Sequence, residues 1–141
     1  LPISELRALA ERLGIAAAVC FTGRLDPDGI AALYRDADLM LNASIVDNMP
    51  NAVLEALASG VPVVSTRVGG VPYMVEHGRT ALLVPAGEDK ALADAALRVL
   101  DDPALRDRLV GAGLEEVARY RWEAVRGELA AAYRDALHPV G

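Results

Sequence analysis

Residues 47–62 read DNMPNAVLEALASGVP, and this stretch decides how the middle of the chain folds. Val53, Leu54 and Leu57 recur at helical spacing, so the pattern predicts a helix that buries one face. Gly60 is typical of the residue that ends a helix, and the β-branched residues that follow it are typical of a strand. The stretch therefore predicts a helix from about residue 49 to residue 59 that leads into a buried strand.

Two carboxylates, Asp47 and Glu55, lie eight positions apart across the start of this helix. Asn48 is a good N-cap, and Pro50 lacks the N–H that the first turn would leave unpaired. The free amides at a helix N-terminus attract anions, so this loop is a candidate site for phosphates and sugar hydroxyls. Two plainer interpretations stay open: Asp47 can simply cap the helix or face solvent, and Glu55 can lie on an exposed face. A buried Glu55 would need a hydrogen-bonding partner.

Length and charge narrow the class of protein. A chain of 141 residues corresponds to about one domain. The net charge is −6 and the 14 basic residues are scattered, so the sequence has no electrostatic footprint for nucleic acid, and we expect no nucleic-acid partner. It has no apolar run of the length that a membrane span needs and no signal-peptide pattern at its start.

Two further residues set expectations about the chain as a whole. Cys20 is the only cysteine and stands in an apolar run, so we expect it to be buried as a small hydrophobic residue. The first residue is Leu1 rather than Met, and the chain opens directly into a helical pattern. We therefore expect that it was cut from a longer protein.

The remaining pattern alternates between helices and short strands. The strands are apolar on both faces, which is typical of a parallel sheet covered by helices. The fold class predicted is therefore α/β, a Rossmann-like parallel sheet of about four strands with flanking helices and a helical C-terminal tail. The predicted elements are a helix capped by Ser4 and ending at Gly14, strand 16–21, turn 26–29, helix 30–37, strand 38–43, helix 49–59, strand 61–65, short helix 72–76, strand 81–84 and three helices from residue 89 onward.

In open α/β sheets the ligand lies at the carboxyl ends of the strands. Asp47, Gly23 and the pair Gly69-Gly70 each follow a predicted strand end, so three loops are expected to converge on one edge of the sheet. The glycine pair could approach a ligand closely or could simply form a turn.

Several other kinds of site are disfavoured. His77 stands beside a predicted turn without other ligands at metal spacing, and His138 is interpreted as a surface feature, so no metal site is predicted. The chain has neither of the familiar Gly-rich phosphate loops and no serine-centred nucleophile elbow. These absences argue against dinucleotide oxidoreductases, P-loop enzymes and serine hydrolases.

Three segments together carry a family resemblance: FTGRL at 21–25, YRDADLMLNAS at 34–44 and DNMPNAVLEALASGVPVVSTRVGGVPYMVEHGRTALLVPAGE at 47–88. They resemble the C-terminal, donor-binding half of the retaining GT-B glycosyltransferases of group 1. The family signature is two acids with seven residues between them, an Ala-rich helix, a GVPVV-like strand and a Gly-Gly turn. The resemblance implies a glycosyltransferase that uses a UDP- or GDP-linked sugar as its substrate, with no cofactor and no metal.

The resemblance also implies roles for individual residues. Asp47 would meet hydroxyls of the donor sugar, and Glu55 would bind the ribose of the nucleotide. The backbone amides that would approach the sugar and the distal phosphate are those around Asn48, Met49 and Asn51. The segment that would lie against the base includes Arg24 and Leu25.

Three positions depart from the family pattern. Asp47 is one methylene shorter than the usual Glu. Pro50 replaces a common Gly and removes a backbone donor. Tyr73 stands where an acid is common. Each departure bears on the choice of sugar.

The resemblance implies that residues 1–141 are a single, incomplete C-terminal domain, truncated at its N-terminus. The basic pair that neutralises the donor diphosphate would precede residue 1, and the acceptor site would lie in a missing N-terminal lobe. We therefore expect that this chain alone does not transfer sugar. The parent would be cytoplasmic, and that lobe could hold it at the inner face of the membrane. An incomplete sheet would expose an apolar edge, through which homo-oligomers of the chain could form.

Two alternatives to a transferase remain. One is a non-catalytic module that binds a nucleotide or a sugar. The other is a nucleotide-sugar epimerase with the same two-lobed architecture, although the spacing of the two acids favours transfer.

Overall fold

The computed structural model describes residues 2–137, so His138 lies outside the described residues. These residues form two compact units, of which the first ends at Ile30 and the second begins at Ala31. Whether the whole chain is one incomplete domain of a larger enzyme stays a prediction. Within residues 2–137, no helix is long and apolar enough to cross a membrane.

Helices and short strands alternate along the described chain, as the sequence pattern predicts. The strands are β1 (Met40–Asn42), β2 (Val63–Thr66) and β3 (Leu82–Val84). The α-helices are α1 (Ile3–Arg12), α2 (Pro27–Asp36), α3 (Asn51–Ala58), α4 (Val71–Met74), α5 (Asp89–Asp101), α6 (Pro103–Val117) and α7 (Trp122–Leu137), and short 3-10 helices span Ala16–Ala18 and Ala118–Tyr120.

The first unit corrects two predictions about residues 16–21. The predicted strand is wrong: Ala16–Ala18 form a turn of 3-10 helix. Three consecutive alanines favour helical over extended backbone, which explains the difference. Cys20 is exposed rather than buried, because the strand that was expected to bury it does not form.

Two helix starts also differ from the prediction. α1 begins at Ile3 with Pro2 as its N-cap, so Ser4 lies inside the helix. The predicted turn at 26–29 is the first turn of α2, in which the amide of Gly29 donates to Asp26 Oδ1 at 2.8 Å. Asp26 therefore caps the helix that begins at Pro27, a favoured first residue because it has no N–H to leave unpaired.

The sheet has the order β1-β2-β3, and both neighbouring pairs are parallel. Met40 lies opposite Val63 in one pair, and Val64 lies opposite Leu82 in the other. The parallel α/β architecture predicted from the sequence is thus confirmed. The described residues contain three strands rather than four, because residues 16–21 do not form the first one.

Both faces of the sheet are covered by apolar side chains, which is why its strands lack polar alternation. One face carries a cluster built around Val53, Leu57 and Val63, in which α3 covers the sheet. The other face carries Val64, and α5 and α6 cover it with side chains such as Leu109. The carboxyl ends of the strands are left free of these helices, and the candidate site begins there.

Candidate functional site

The carboxyl ends of β1 and β2 are joined by a network of polar side chains. Thr66 Oγ1 donates to the carbonyl oxygen of Ser44 at 2.6 Å, and Asn42 Nδ2 donates to Ser65 Oγ at 3.1 Å. Ser44 Oγ lies 2.7 Å from Asn42 Oδ1 and 3.3 Å from Asp47 Oδ2. Since the Ser44 hydroxyl has only one proton, it donates mainly to the nearer acceptor, Asn42 Oδ1. The network holds the loop that carries Asp47 to the ends of both strands.

Gly69 and Gly70 fit closely against the backbone of this loop. The amide of Gly70 donates to the carbonyl oxygen of Asp47 at 3.2 Å. A Cβ on Gly69 would overlap that same oxygen, and a Cβ on Gly70 would overlap the carbonyl oxygen of Asn48. Gly69 also has a φ of 50°, which favours glycine. The pair therefore contacts the chain's own loop, a role that the sequence pattern could not distinguish from a simple turn.

The helix after this loop begins slightly later than predicted. α3 begins at Asn51 and its N-cap is Pro50, with no side-chain cap. The prediction that Asn48 caps the helix is therefore wrong, because the helix begins two residues later than Asn48 would cap it. Met49 is exposed. The first amides of any helix lack intrahelical acceptors, so those at the start of α3 can bind an anion.

Glu55 lies on an exposed face of α3, so its carboxylate needs no buried partner. It nevertheless has a neighbour from α2: the Tyr34 hydroxyl lies 3.4 Å from Glu55 Oε2 and donates to the carbonyl oxygen of Ala52 at 3.0 Å. Partial burial, together with the charge and hydrogen bond of Glu55, raises the pKa of Tyr34. The hydroxyl therefore keeps its proton at neutral pH.

The residues that the resemblance assigned to the base lie in the first unit, just before α2. Arg24 is exposed and Leu25 is half-buried. Asp47 and Glu55 belong to the second unit, and the contact of Arg24 and Leu25 with a nucleotide base stays a prediction.

Within residues 2–137, no group of three or more His, Cys, Asp or Glu side chains is arranged to hold a metal ion. His77 has a structural contact: its Nδ1 accepts a hydrogen bond from the amide of Leu83 at 2.9 Å. His77 Nδ1 thus holds the backbone of β3 through Leu83.

Sequence reasoning missed the side chains that support the two acids. Asn42, Ser44, Ser65 and Thr66 hold the Asp47 loop, and Tyr34 reaches Glu55. One signal was available for the first four. They are polar residues at the ends of strands that are otherwise apolar, where a buried polar group needs a partner. The Tyr34 contact had no such signal, since Tyr34 and Glu55 lie 21 positions apart and no local pattern links them.

These observations define an open α/β sheet whose polar loops meet at the carboxyl ends of parallel strands, where such folds bind ligands. The chain belongs to the group 1 glycosyl transferases, since the pattern of the family described as "Glycosyl transferases group 1" matches residues 2–102.

Individual relatives agree with this assignment. The chain is 36% identical over 131 residues to a D-inositol 3-phosphate glycosyltransferase of Corynebacterium glutamicum, a match that covers 93% of this chain and 31% of that protein. Among solved structures it resembles the sucrose-phosphate synthase of Thermosynechococcus elongatus, with a TM-score of 0.87 and 31% identity over 97% of this chain and 35% of the other. It also resembles Anabaena HepE in complex with UDP, with a TM-score of 0.85 and 25% identity over 94% of this chain and 36% of that one.

The chain spans about a third of the length of the curated relatives and of the two solved structures that it matches. The GT-B C-terminal fold that the resemblance implied is confirmed by these structural neighbours.

Proposed function

We propose that this chain is the donor-binding part of a larger retaining glycosyltransferase, which transfers a sugar from a UDP- or GDP-linked donor to an acceptor. The observation that carries the proposal is the Asp47 loop, held at the carboxyl ends of β1 and β2 directly before the free amides of α3. Membership of the family and the UDP bound by HepE support a nucleotide-sugar ligand.

Each part of the site would contact a different part of the donor. Asp47 would accept hydrogen bonds from sugar hydroxyls, and the amides at Asn51 and the turn before it would face the distal phosphate. Glu55 would accept from the two ribose hydroxyls. Arg24 and Leu25 would lie against the base.

The chemistry of transfer concentrates negative charge on the departing nucleotide diphosphate. Cations or aligned dipoles must stabilise that charge, and the basic groups for this are proposed to come from the rest of the protein. Departure of the diphosphate and attack by the acceptor would occur on the same face of the sugar, without a nucleophilic side chain from this chain. Neither a metal nor a cofactor is invoked, and the nucleotide sugar is a substrate. Two statements about the larger protein stay predictions: that it is located in the cytoplasm, and that its other lobe contacts the membrane.

The first test is calorimetric titration of the full-length protein with UDP and with GDP. Glu55→Ala should weaken binding of the preferred nucleotide by about tenfold or more, since hydrogen bonds to a charged group are lost. Glu115→Ala changes an exposed glutamate on α6 and is the matched control. Equal affinity in Glu55→Ala and the original protein would contradict the ribose role.

A second test separates a transferase from a module that only binds. Asp47→Ala in the full-length protein should lower the rate of sugar transfer more than it lowers nucleotide affinity, because Asp47 is assigned to the sugar rather than to the nucleotide. Nucleotide binding by a full-length protein that does not transfer sugar would favour the binding module. Turnover by the 141-residue chain alone would contradict the expectation that it is inactive.

A further inference from the structure

The Tyr34 side chain occupies a position between the core and the exposed carboxylate of Glu55. Its ring packs against the apolar cluster beneath α3, and its hydroxyl reaches the surface of that helix. There the hydroxyl lies 3.0 Å from the carbonyl oxygen of Ala52 and 3.4 Å from Glu55 Oε2. Both acceptors are within reach of one hydroxyl: the Ala52 carbonyl oxygen is nearer, whereas the Glu55 carboxylate is charged and is the stronger acceptor. The O–H bond can therefore turn from one to the other.

An exposed glutamate on a helix samples several rotamers, and ordering it on binding costs conformational entropy. A carboxylate that must accept two neighbouring hydroxyls benefits from being held in one orientation beforehand. The Tyr34 hydroxyl is suited to this, because its ring is fixed by packing. The raised pKa of Tyr34 keeps its hydroxyl a donor across the physiological range.

We propose that Tyr34 is a positioning residue for Glu55: it holds Oε2 so that the carboxylate is oriented to accept the vicinal hydroxyls of the donor ribose. This inference rests on the proposed function, in which Glu55 binds the ribose. Tyr34 itself is not assigned a contact with the nucleotide. Its contribution should therefore exist only when both Glu55 and the ribose hydroxyls are present.

That dependence gives a direct test in the full-length protein. The dissociation constants of the preferred ribonucleoside diphosphate and of its 2′-deoxy and 3′-deoxy analogues are measured for the original protein and for Tyr34→Phe. We expect Tyr34→Phe to weaken binding of the ribonucleotide by about threefold to tenfold and to weaken binding of the deoxy analogues less, since each of them keeps only one of the two hydroxyls. The discrimination between ribose and deoxyribose should fall accordingly. Tyr133→Phe, on α7, removes the hydroxyl of an exposed tyrosine and is the matched control.

If the role of Tyr34 is purely structural, Tyr34→Phe should weaken binding of all three nucleotides equally, and that result would overturn the inference. A double-mutant cycle with Glu55→Ala gives a second measurement: Tyr34→Phe should have no further effect on ribonucleotide affinity once Glu55 is absent. An undiminished effect in that background would also overturn it. If instead Glu55→Ala leaves both affinity and discrimination unchanged, the ribose role of Glu55 fails, and the role of Tyr34 fails with it. Thermal unfolding of each variant checks that it is folded.

Discussion

At the scale of single residues, the candidate site depends on how closely two backbone segments approach each other. Gly69 and Gly70 leave no room for a Cβ beside the carbonyl oxygens of Asp47 and Asn48. This contact, together with the hydrogen bond from Thr66 Oγ1 to the carbonyl oxygen of Ser44, holds the Asp47 loop at the ends of the strands. Gly69 and Gly70 thus affect the position of Asp47 through the loop that they contact.

Gly70→Ala tests this contact without adding backbone strain, because Gly70 has a φ of −83°. We expect it to lower the free energy of unfolding by about 3 kcal/mol or more, because the added Cβ would overlap a backbone carbonyl oxygen, whereas an extra methylene in a packed core costs about 1–3 kcal/mol. Chemical denaturation of the chain measures the change. The control is Gly111→Ala on α6, where a Cβ meets nothing within 4 Å.

Gly111→Ala should instead stabilise the chain by about 0.5–1 kcal/mol, since alanine is the better helix former. Equal effects at the two glycines would show that Gly70 is not held against the loop.

At the scale of elements, a side-chain cap marks the start of two helices. Asp26 caps α2, and Asp102 caps α6, where its Oδ1 accepts from the amide of Leu105 at 2.9 Å. Pro103 follows the cap as the first residue of α6, a position that leaves no N–H unpaired. α3 is different, because its N-cap is Pro50, which has no side-chain acceptor.

Asp102→Ala should reduce the free energy of unfolding by about 1 kcal/mol, because the Leu105 amide loses its acceptor. The neighbouring Asp101→Ala is the control, since Asp101 is the last residue of α5 and is exposed. Thermal unfolding of both variants makes the comparison. A loss as large in Asp101→Ala would mean that charge, rather than the cap, is responsible.

At the scale of the molecule, stability should depend on the two clusters that sandwich the sheet. Leu109 on α6 is fully buried, whereas Leu129 on α7 is 43% exposed and no residue of α7 is buried. The same substitution at the two positions therefore separates a core helix from one that contributes little to the core.

Leu109→Ala should cost about 2–5 kcal/mol, the range for deleting a buried leucine side chain. Leu129→Ala should change the free energy of unfolding by about 0.5 kcal/mol or less, as for other surface positions. Urea denaturation of this chain measures both. A large loss at Leu129 would mean that the exposed face of α7 is covered in solution.

Self-association remains a prediction at this scale. β1 and β3 are the outer strands of the described sheet, and Leu41 on β1 is 52% exposed. Size-exclusion chromatography with light scattering should therefore detect dimers or larger species of the chain. A monomer at every concentration would refute the expectation.

The sequence by itself determined the alternation of helices and strands, the parallel sheet and the loops at its carboxyl edge, because hydrophobic period and turn residues act locally. Tertiary structure decided the rest. Residues 16–21 are apolar but form no strand, since a strand exists only where a partner supplies hydrogen bonds. Tyr34 meets Glu55 across 21 positions because its ring packs against the apolar cluster beneath α3. Gly69 and Gly70 meet the Asp47 loop although more than 20 positions separate them from it. Contacts between distant residues depend on how elements pack, which local pattern does not specify.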